Sequence, residues 1–194
     1  MARMRRTATV GVNSVNHVFF KCHNDDFLMQ AIEAKEKFLS LLSRYKDRHG
    51  VEIYAYCLMD NHPHVICVSK LGQKAFSAFW QNVNSRFAQW LNFKLKRKGQ
   101  VVRERFKSPQ IQVKSGNHLL RTMRYVEMNP VRAKMVKSPS DYRFSSHRHH
   151  AHGSPDALIS DCPAYLALGH SPLARRKAYL ALFFNLLRDE LNNT

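Results

Sequence analysis

Two β-type runs, residues 51–59 and 63–69, meet across Asp60-Asn61, and this juncture constrains the chain more than any other stretch. A connection so short turns the chain back on itself as an antiparallel pair. His62 and His64 open the second run, and in a strand residues two apart face the same way. The two imidazoles then stand about 7 Å apart along the strand. That spacing suits two ligands of one metal ion. It suits a structural or surface pair as well, in a chain with 11 histidines.

The flanking segments read as the rest of a small sheet with helices. Residues 15–22, VNHVFFKC, mix β-branched and aromatic side chains and form a first strand. Asn24-Asp25-Asp26 supplies a cap and an acidic first turn to a helix with Leu28, Ile32, Leu39 and Leu42 along its apolar stripe. Ala31, Phe38 and Tyr45 lie beside that stripe, and Gly50 ends the helix. After Gly72 a long helix runs to about Arg97. Its residues Phe76, Phe79, Trp80, Val83, Phe87, Trp90 and Leu91 fall at helical spacing and read as packing. Residues 100–114 read as a fourth strand or an irregular hairpin. Arg103, Arg105 and Lys107 interleave there with Phe106, a pattern that holds a phosphate backbone or forms an ordinary solvated edge.

A third helix starts after Gly116 with Asn117 as its cap, and Leu119, Met123 and Val126 make one face with Leu120 beside them. Tyr125 and Asn129, four residues apart, share a different face and are flanked by Arg121, Arg124 and Arg132. Pro130 is expected to end or kink the helix near Asn129. A tyrosine at such a position is ordinarily a half-buried packing residue. As a nucleophile toward phosphorus, a phenol with a pKa of about 10 needs positive charge or a metal nearby. The arginines and the histidine pair offer both. Strand, helix, strand, strand, helix, strand is the order of a ferredoxin-like α+β fold, an antiparallel sheet with packed helices, here with a C-terminal helical extension. The expected division is a flexible basic arm (1–14), a core domain (15–136) and a basic loop-and-helix extension (137–194).

Charge decides the class of partner. Lys+Arg of 31 against Asp+Glu of 14 gives +17 and a pI near 10.1, which favours nucleic acid first and an anionic membrane second. No apolar run approaches a membrane span, and no apolar stretch follows the basic MARMRR start as a signal peptide requires. The four cysteines are widely spaced and read as reduced thiols of a cytoplasmic protein. A zinc site joining Cys57 and Cys67 to the two histidines conflicts with strand parity, because Cys67 lies three residues beyond His64. The run HRHHAH at 147–152 is a transition-metal candidate, or else a loop or a surface facing nucleic acid. Residues 137–162 read as linker or loop. Ser171-Pro172 opens a last helix reaching about Leu191. Arg175, Arg176 and Lys177 near its start oppose the helix dipole, which points to an anion there or to no ligand at all.

Three blocks carry a resemblance. YCLMDNHPH followed by an apolar strand, RERFKSPQI, and RYVEMNPVRAKMV resemble the HUH endonuclease superfamily, specifically the IS200-like single-tyrosine transposases and their REP-associated branch. DYRFSS and ARRKAYLALF in the tail are similar to the REP-associated branch, and the likeness runs from about Asn16 to Phe184. The resemblance implies a transposase that cleaves single-stranded DNA and transfers the strand, acting on hairpin (REP-like) DNA as a monomer or homodimer. It implies that His62 and His64 hold a divalent metal, Mg²⁺ or Mn²⁺, with Asn129 at the place of a third ligand. It makes Tyr125 the nucleophile of a 5′-phosphotyrosine intermediate. Phosphate contact is expected from Arg121, Arg124 and Arg132, from Arg103, Arg105 and Lys107, and from Arg175 and Arg176. Pro63 stands where the family has a large hydrophobe between the histidines, so the strand must bulge, lie at an edge or begin there. The reading of a different class is a non-catalytic nucleic-acid-binding protein on the same fold.

Overall fold

The structure is a computed structural model describing residues 10–102, 106–111 and 116–191, with the side chains of 116–117 and 184–191 not described. Strands β1 (Ser14–Phe19), β2 (Val51–Leu58) and β3 (Pro63–Ser69) form an antiparallel sheet in the order β1-β3-β2. The β2–β3 hairpin pairs Leu58 with Pro63 and Cys57 with His64. Pro63 is the first residue of its strand, so its missing N–H interrupts no later rung of the ladder.

The turn at Asp60-Asn61 is held from several sides. The Met59 N–H donates to the His62 carbonyl at 2.9 Å and closes it. The Cys22 and Met29 N–H groups donate to the Asn61 and Asp60 carbonyls, both at 2.8 Å. The buried ammonium of Lys35, from helix α1 (Ile32–Lys46), lies 2.6 Å from the Asp60 carboxylate. A charge pair this short and desolvated fixes position more than it adds stability.

The expected fourth strand is not a regular strand among the described residues. Lys107 bridges Phe19 and Gln110 bridges Asn16, which adds an irregular edge outside β1. The spatial order becomes segment 106–111, β1, β3, β2, the order of a ferredoxin-like sheet. Alternation along this edge separates its two side chains of interest. Phe106 packs 5.6 Å from the Trp80 ring, while Lys107 shares the opposite face with its partner Phe19.

Helices α1 and α2 (Gly72–Lys94) cover one face of the sheet. Phe38 of α1 meets Phe20 at 6.0 Å and Phe87 of α2 at 5.2 Å, and Cys67 lies beside Trp80. The aromatic stripe of α2 is the core face expected, with Phe76, Phe79, Trp80, Val83, Phe87 and Leu91 buried. The stop at Gly50 also holds. Its φ is +57°, and a Cβ there would lie 2.7 Å from Leu71 Cγ, so any larger residue would be strained.

Helix α1 starts at Ile32, not at the acidic cluster. Asn24 and Asp25 have positive φ in a short 3₁₀ turn, and Ile32 itself is exposed. Backbone bonds from Cys22, His23 and Met29 to the turn and to Val101 hold residues 22–29 along the sheet instead. Tertiary pairing outcompeted a local cap.

Helix α3 (Gly116–Arg132) packs against β2 on the other face. It runs through Pro130, where an end or kink was expected. Proline removes the N–H that would bond the Val126 carbonyl. The Asn129 side-chain amide donates to that carbonyl at 3.1 Å and to the Tyr125 carbonyl at 3.0 Å.

Residues 137–162, read as linker or loop, are an ordered irregular segment along the outer edge of β2. The Leu58, Ser146 and Ser160 N–H groups donate to the carbonyls of Phe144, Tyr56 and Ile53 at 2.9, 3.0 and 2.8 Å, and the Tyr142 hydroxyl donates to the Leu58 carbonyl at 2.6 Å. An open sheet edge is thereby covered. Helices α4 (Pro163–Leu166) and α5 (Pro172–Leu191) follow. The junction between this region and α3 is Glu127, fully buried, which accepts from Ser146 at 2.6 Å and Tyr179 at 3.1 Å and lies 2.8 Å from His150 Nδ1. Burial alone would raise its carboxyl, but His150 and His147 beside it hold it down to about 2. At the other end of the chain, Val10 is buried and the Asn13 N–H donates to Ser69, so the described part of the expected arm joins the sheet.

Candidate functional site

The face of the sheet that carries α3 also carries His64. Its cross-strand partner Phe19 and, two residues earlier on β1, His17 stand on the same face. His17 Nε2 lies 2.9 Å from His64 Nδ1. His62, in the turn just before β3, brings its ring to 4.8 Å from that of His64, and its Nδ1 lies 2.5 Å from Asn61 Oδ1. Three imidazoles thus stand in a row. Cys67 sits beside Trp80 on the opposite face, as strand parity requires, so it takes no part in the cluster.

All three rings favour the neutral form. Burial lowers His64 to about 3, assisted by His17 and His62, and lowers His17 to about 4. Burial lowers His62 too, with Lys21 adding to the effect and Asp25 opposing it. Neutral imidazoles are what a divalent cation needs as ligands. Nδ1 of His64 lies against His17, which leaves Nε2 as the nitrogen that could face a metal, and in that tautomer His64 would carry its proton on Nδ1 and donate it to His17. A histidine ligand held through its second nitrogen is fixed in tautomer and orientation. The donor set fits the divalent metal that the sequence motif implies.

Tyr125 is presented from α3 toward this row. Its ring lies 6.4 Å from that of His64, it is 44% exposed, and the Arg132 guanidinium sits 4.7 Å over its face. Asn129, one turn on, uses its amide nitrogen on two backbone carbonyls, which leaves its oxygen as a hard donor.

The basic residues sort by burial. Arg121 and Arg132 are exposed on α3, and Lys107 is exposed on the His64 face. Arg124 is buried, with its guanidinium 5.8 Å over the Phe183 ring, and points into the C-terminal packing, not toward Tyr125. Arg175 donates to the Gly169 carbonyl at 3.2 Å, and Arg176 packs on Gly153, so both are engaged within the chain. Arg103 and Arg105 lie outside the described residues. Sequence reasoning missed His17 and Lys21. The signal for His17 was present in strand alternation, but only the β1–β3 register sets it opposite His64.

The model of the family "Transposase IS200 like" matches residues 12–129, more than half of the chain, and the chain belongs to that family. Its fold is that of a REP-associated tyrosine transposase solved bound to a REP hairpin. The TM-score is 0.62 and the identity 23%, covering 84% of this chain and 96% of the other. A putative transposase from Deinococcus radiodurans is similar at a TM-score of 0.41 and 12% identity, over 70% of this chain and 92% of that one. No curated protein matches the chain. Among the described residues no helix is long and apolar enough to cross a membrane.

Proposed function

We propose that this transposase cuts and rejoins single-stranded DNA next to a hairpin, with Tyr125 as the nucleophile. The observation that carries the reading is Tyr125 held between the His64 ring at 6.4 Å and the Arg132 guanidinium at 4.7 Å. The phenol oxygen gives its proton to solvent water, which returns one to the leaving 3′ oxygen, and forms a bond to the scissile phosphorus. The bond to the 3′ oxygen breaks, that oxygen leaves as a 3′-hydroxyl, and the 5′-phosphate stays on tyrosine. The reverse attack by another 3′-hydroxyl reseals DNA without an outside energy source. Arg132 places positive charge where negative charge gathers on the phosphate oxygens. His62, His64 and the Asn129 oxygen are the residues that would hold Mg²⁺ or Mn²⁺, which when bound supplies Lewis-acid polarisation of the phosphate. His17 orients His64 for that task. Arg121, Arg132 and Lys107 are assigned to phosphate contact, and Arg124 is withdrawn from it because it is buried. The hairpin preference rests on the structural neighbour, which is bound to one.

The test is covalent trapping. The unmodified protein, incubated with Mn²⁺ and a hairpin carrying a single-stranded flank, retains a label placed 3′ of the cut through a denaturing gel. Tyr125→Phe gives no adduct and no cleavage. Its fold stability changes by at most about 1 kcal/mol, since only a half-exposed hydroxyl is removed. A normal adduct from Tyr125→Phe would place the nucleophile elsewhere. Hairpin binding without any cleavage by the unmodified protein would favour the non-catalytic binding reading.

A further inference from the structure

The histidine run at 147–152 is not used by the chemistry above, and the structure disperses it. His147 and His150 turn inward to Glu127, and His152 Nε2 lies 2.7 Å from Ser140. His149 Nε2 lies 3.0 Å from an Asp161 carboxylate oxygen. The π-helical turn Arg148–His152 brings the His149 and His150 rings to 5.1 Å at right angles. One donor atom from each of His149, His150 and Asp161 falls within 4.8 Å of the others.

The second observation is an unpartnered buried nitrogen. His150 is fully buried, its Nδ1 donates to Glu127, and its Nε2 has no hydrogen-bond partner. In the tautomer that keeps a single proton on Nδ1, Nε2 offers a lone pair removed from water, and a buried nitrogen without a partner calls for an explanation. A ligating histidine donates its other N–H to a carboxylate in the same way, which sets the tautomer and strengthens the donor.

We propose that His149, His150 and Asp161 form a second metal site, for a zinc-class transition metal, that fastens the C-terminal segment to α3 through Glu127. Two imidazoles and a carboxylate are a donor set for Zn²⁺, with water completing four-coordination. They suit Mg²⁺ poorly, because that ion prefers oxygen donors. Tetrahedral bonds of about 2.1 Å space donors about 3.4 Å apart. The exposed Asp161 side chain and the half-buried His149 are free to make that small closure. Glu127 lies two positions, about 200° around the helix, from Tyr125. The site is therefore distinct from the His62–His64 pair.

The test uses the full chain as His62→Ala/His64→Ala, which removes the other pair, with Zn²⁺ titrated in excess Mg²⁺. One equivalent of Zn²⁺ is expected, with a rise in the thermal midpoint and, for Co²⁺, the intense visible bands of four-coordination. Asp161→Ala and His149→Ala, added singly, should each weaken Zn²⁺ by about tenfold or more. Both residues lie at the rim, so the fold survives their loss, which a circular dichroism spectrum checks. No stoichiometric Zn²⁺ in the His62→Ala/His64→Ala protein, or an affinity unmoved by both rim variants, overturns the site. DNA cleavage is not read, so this outcome is independent of the Tyr125 assignment.

Discussion

At the scale of single residues, the site depends on which nitrogen carries which proton. His17 Nε2 lies 2.9 Å from His64 Nδ1, and with His64 holding a metal through Nε2 its Nδ1 proton would go to His17, which would then act only through His64. His17→Leu should raise the Mn²⁺ concentration for half-maximal cleavage by about tenfold to a hundredfold, with hairpin affinity unchanged. His17→Gln, which keeps an acceptor, should recover part of the loss. Equal behaviour of the two variants would reduce His17 to a packing residue. The same burial makes a pH prediction for protein kept metal-free with chelator. His64 and His17, at about 3 and about 4, sit below the 6.5 of an unfolded histidine. Between those values the unfolded chain binds the extra protons. Stability is therefore full above about pH 6.5 and declines as pH falls through that window, by at most about 1.4 kcal/mol per pH unit for each histidine. Denaturant melts at pH 7 and pH 5 should show a smaller drop for His17→Gln/His64→Gln than for the unmodified chain. Identical drops would mean the imidazoles are not desolvated as the structure shows.

At the scale of elements, α3 depends on a local exchange at its C-terminal end. Asn129 stands in for the N–H that Pro130 lacks by donating to the Val126 carbonyl. Asn129→Ala should cost about 1 kcal/mol in the native sequence. In a Pro130→Ala background it should cost little, because the alanine N–H takes that carbonyl. Additive losses in this double-mutant cycle would show that the two residues do not substitute for each other. The exchange also explains why Asn129 suits the site: its nitrogen is spent on the backbone while its oxygen stays available one turn from Tyr125. The hairpin turn shows comparable bracing. Asp60 is tied to Lys35, and Asn61 to Cys22, so His62 rides on a turn whose backbone has little freedom.

At the scale of the whole molecule, +17 charges have to be placed. Among the described residues Lys107, Arg121 and Arg132 stand at the site face and Lys21 lies beside His62, whereas Arg124 is sequestered in the C-terminal packing. Affinity for a hairpin with a single-stranded flank should fall steeply with salt, at a log–log slope of about −0.7 per phosphate contacted as single strand. Arg121→Ala should reduce that slope by about one contact. Arg124→Ala should leave the slope alone and lower the thermal midpoint instead. A reversed pattern would mean that α3 meets DNA through its other side.

What the sequence by itself determined is what short-range periodicity and motif encode. The β2–β3 hairpin with its histidines, the buried stripe of α2, and the Tyr125–Asn129 face all depend on neighbours within one or two turns or one strand pair. The motif blocks resemble the IS200-like family, and the family match over residues 12–129 agrees with them. The tertiary structure alone decided which distant segments share a face. His17 meets His64 across 47 residues through a strand register that no local pattern specifies. Glu127 gathers His147, His150 and Tyr179 from a stretch that read as linker, and the late start of α1 yields to backbone bonds made with the hairpin turn. Local propensities are sums over adjacent residues. Register and burial are settled only when the whole chain competes for the same partners, and that is where a helix-face arginine became core and a strand histidine became part of the site.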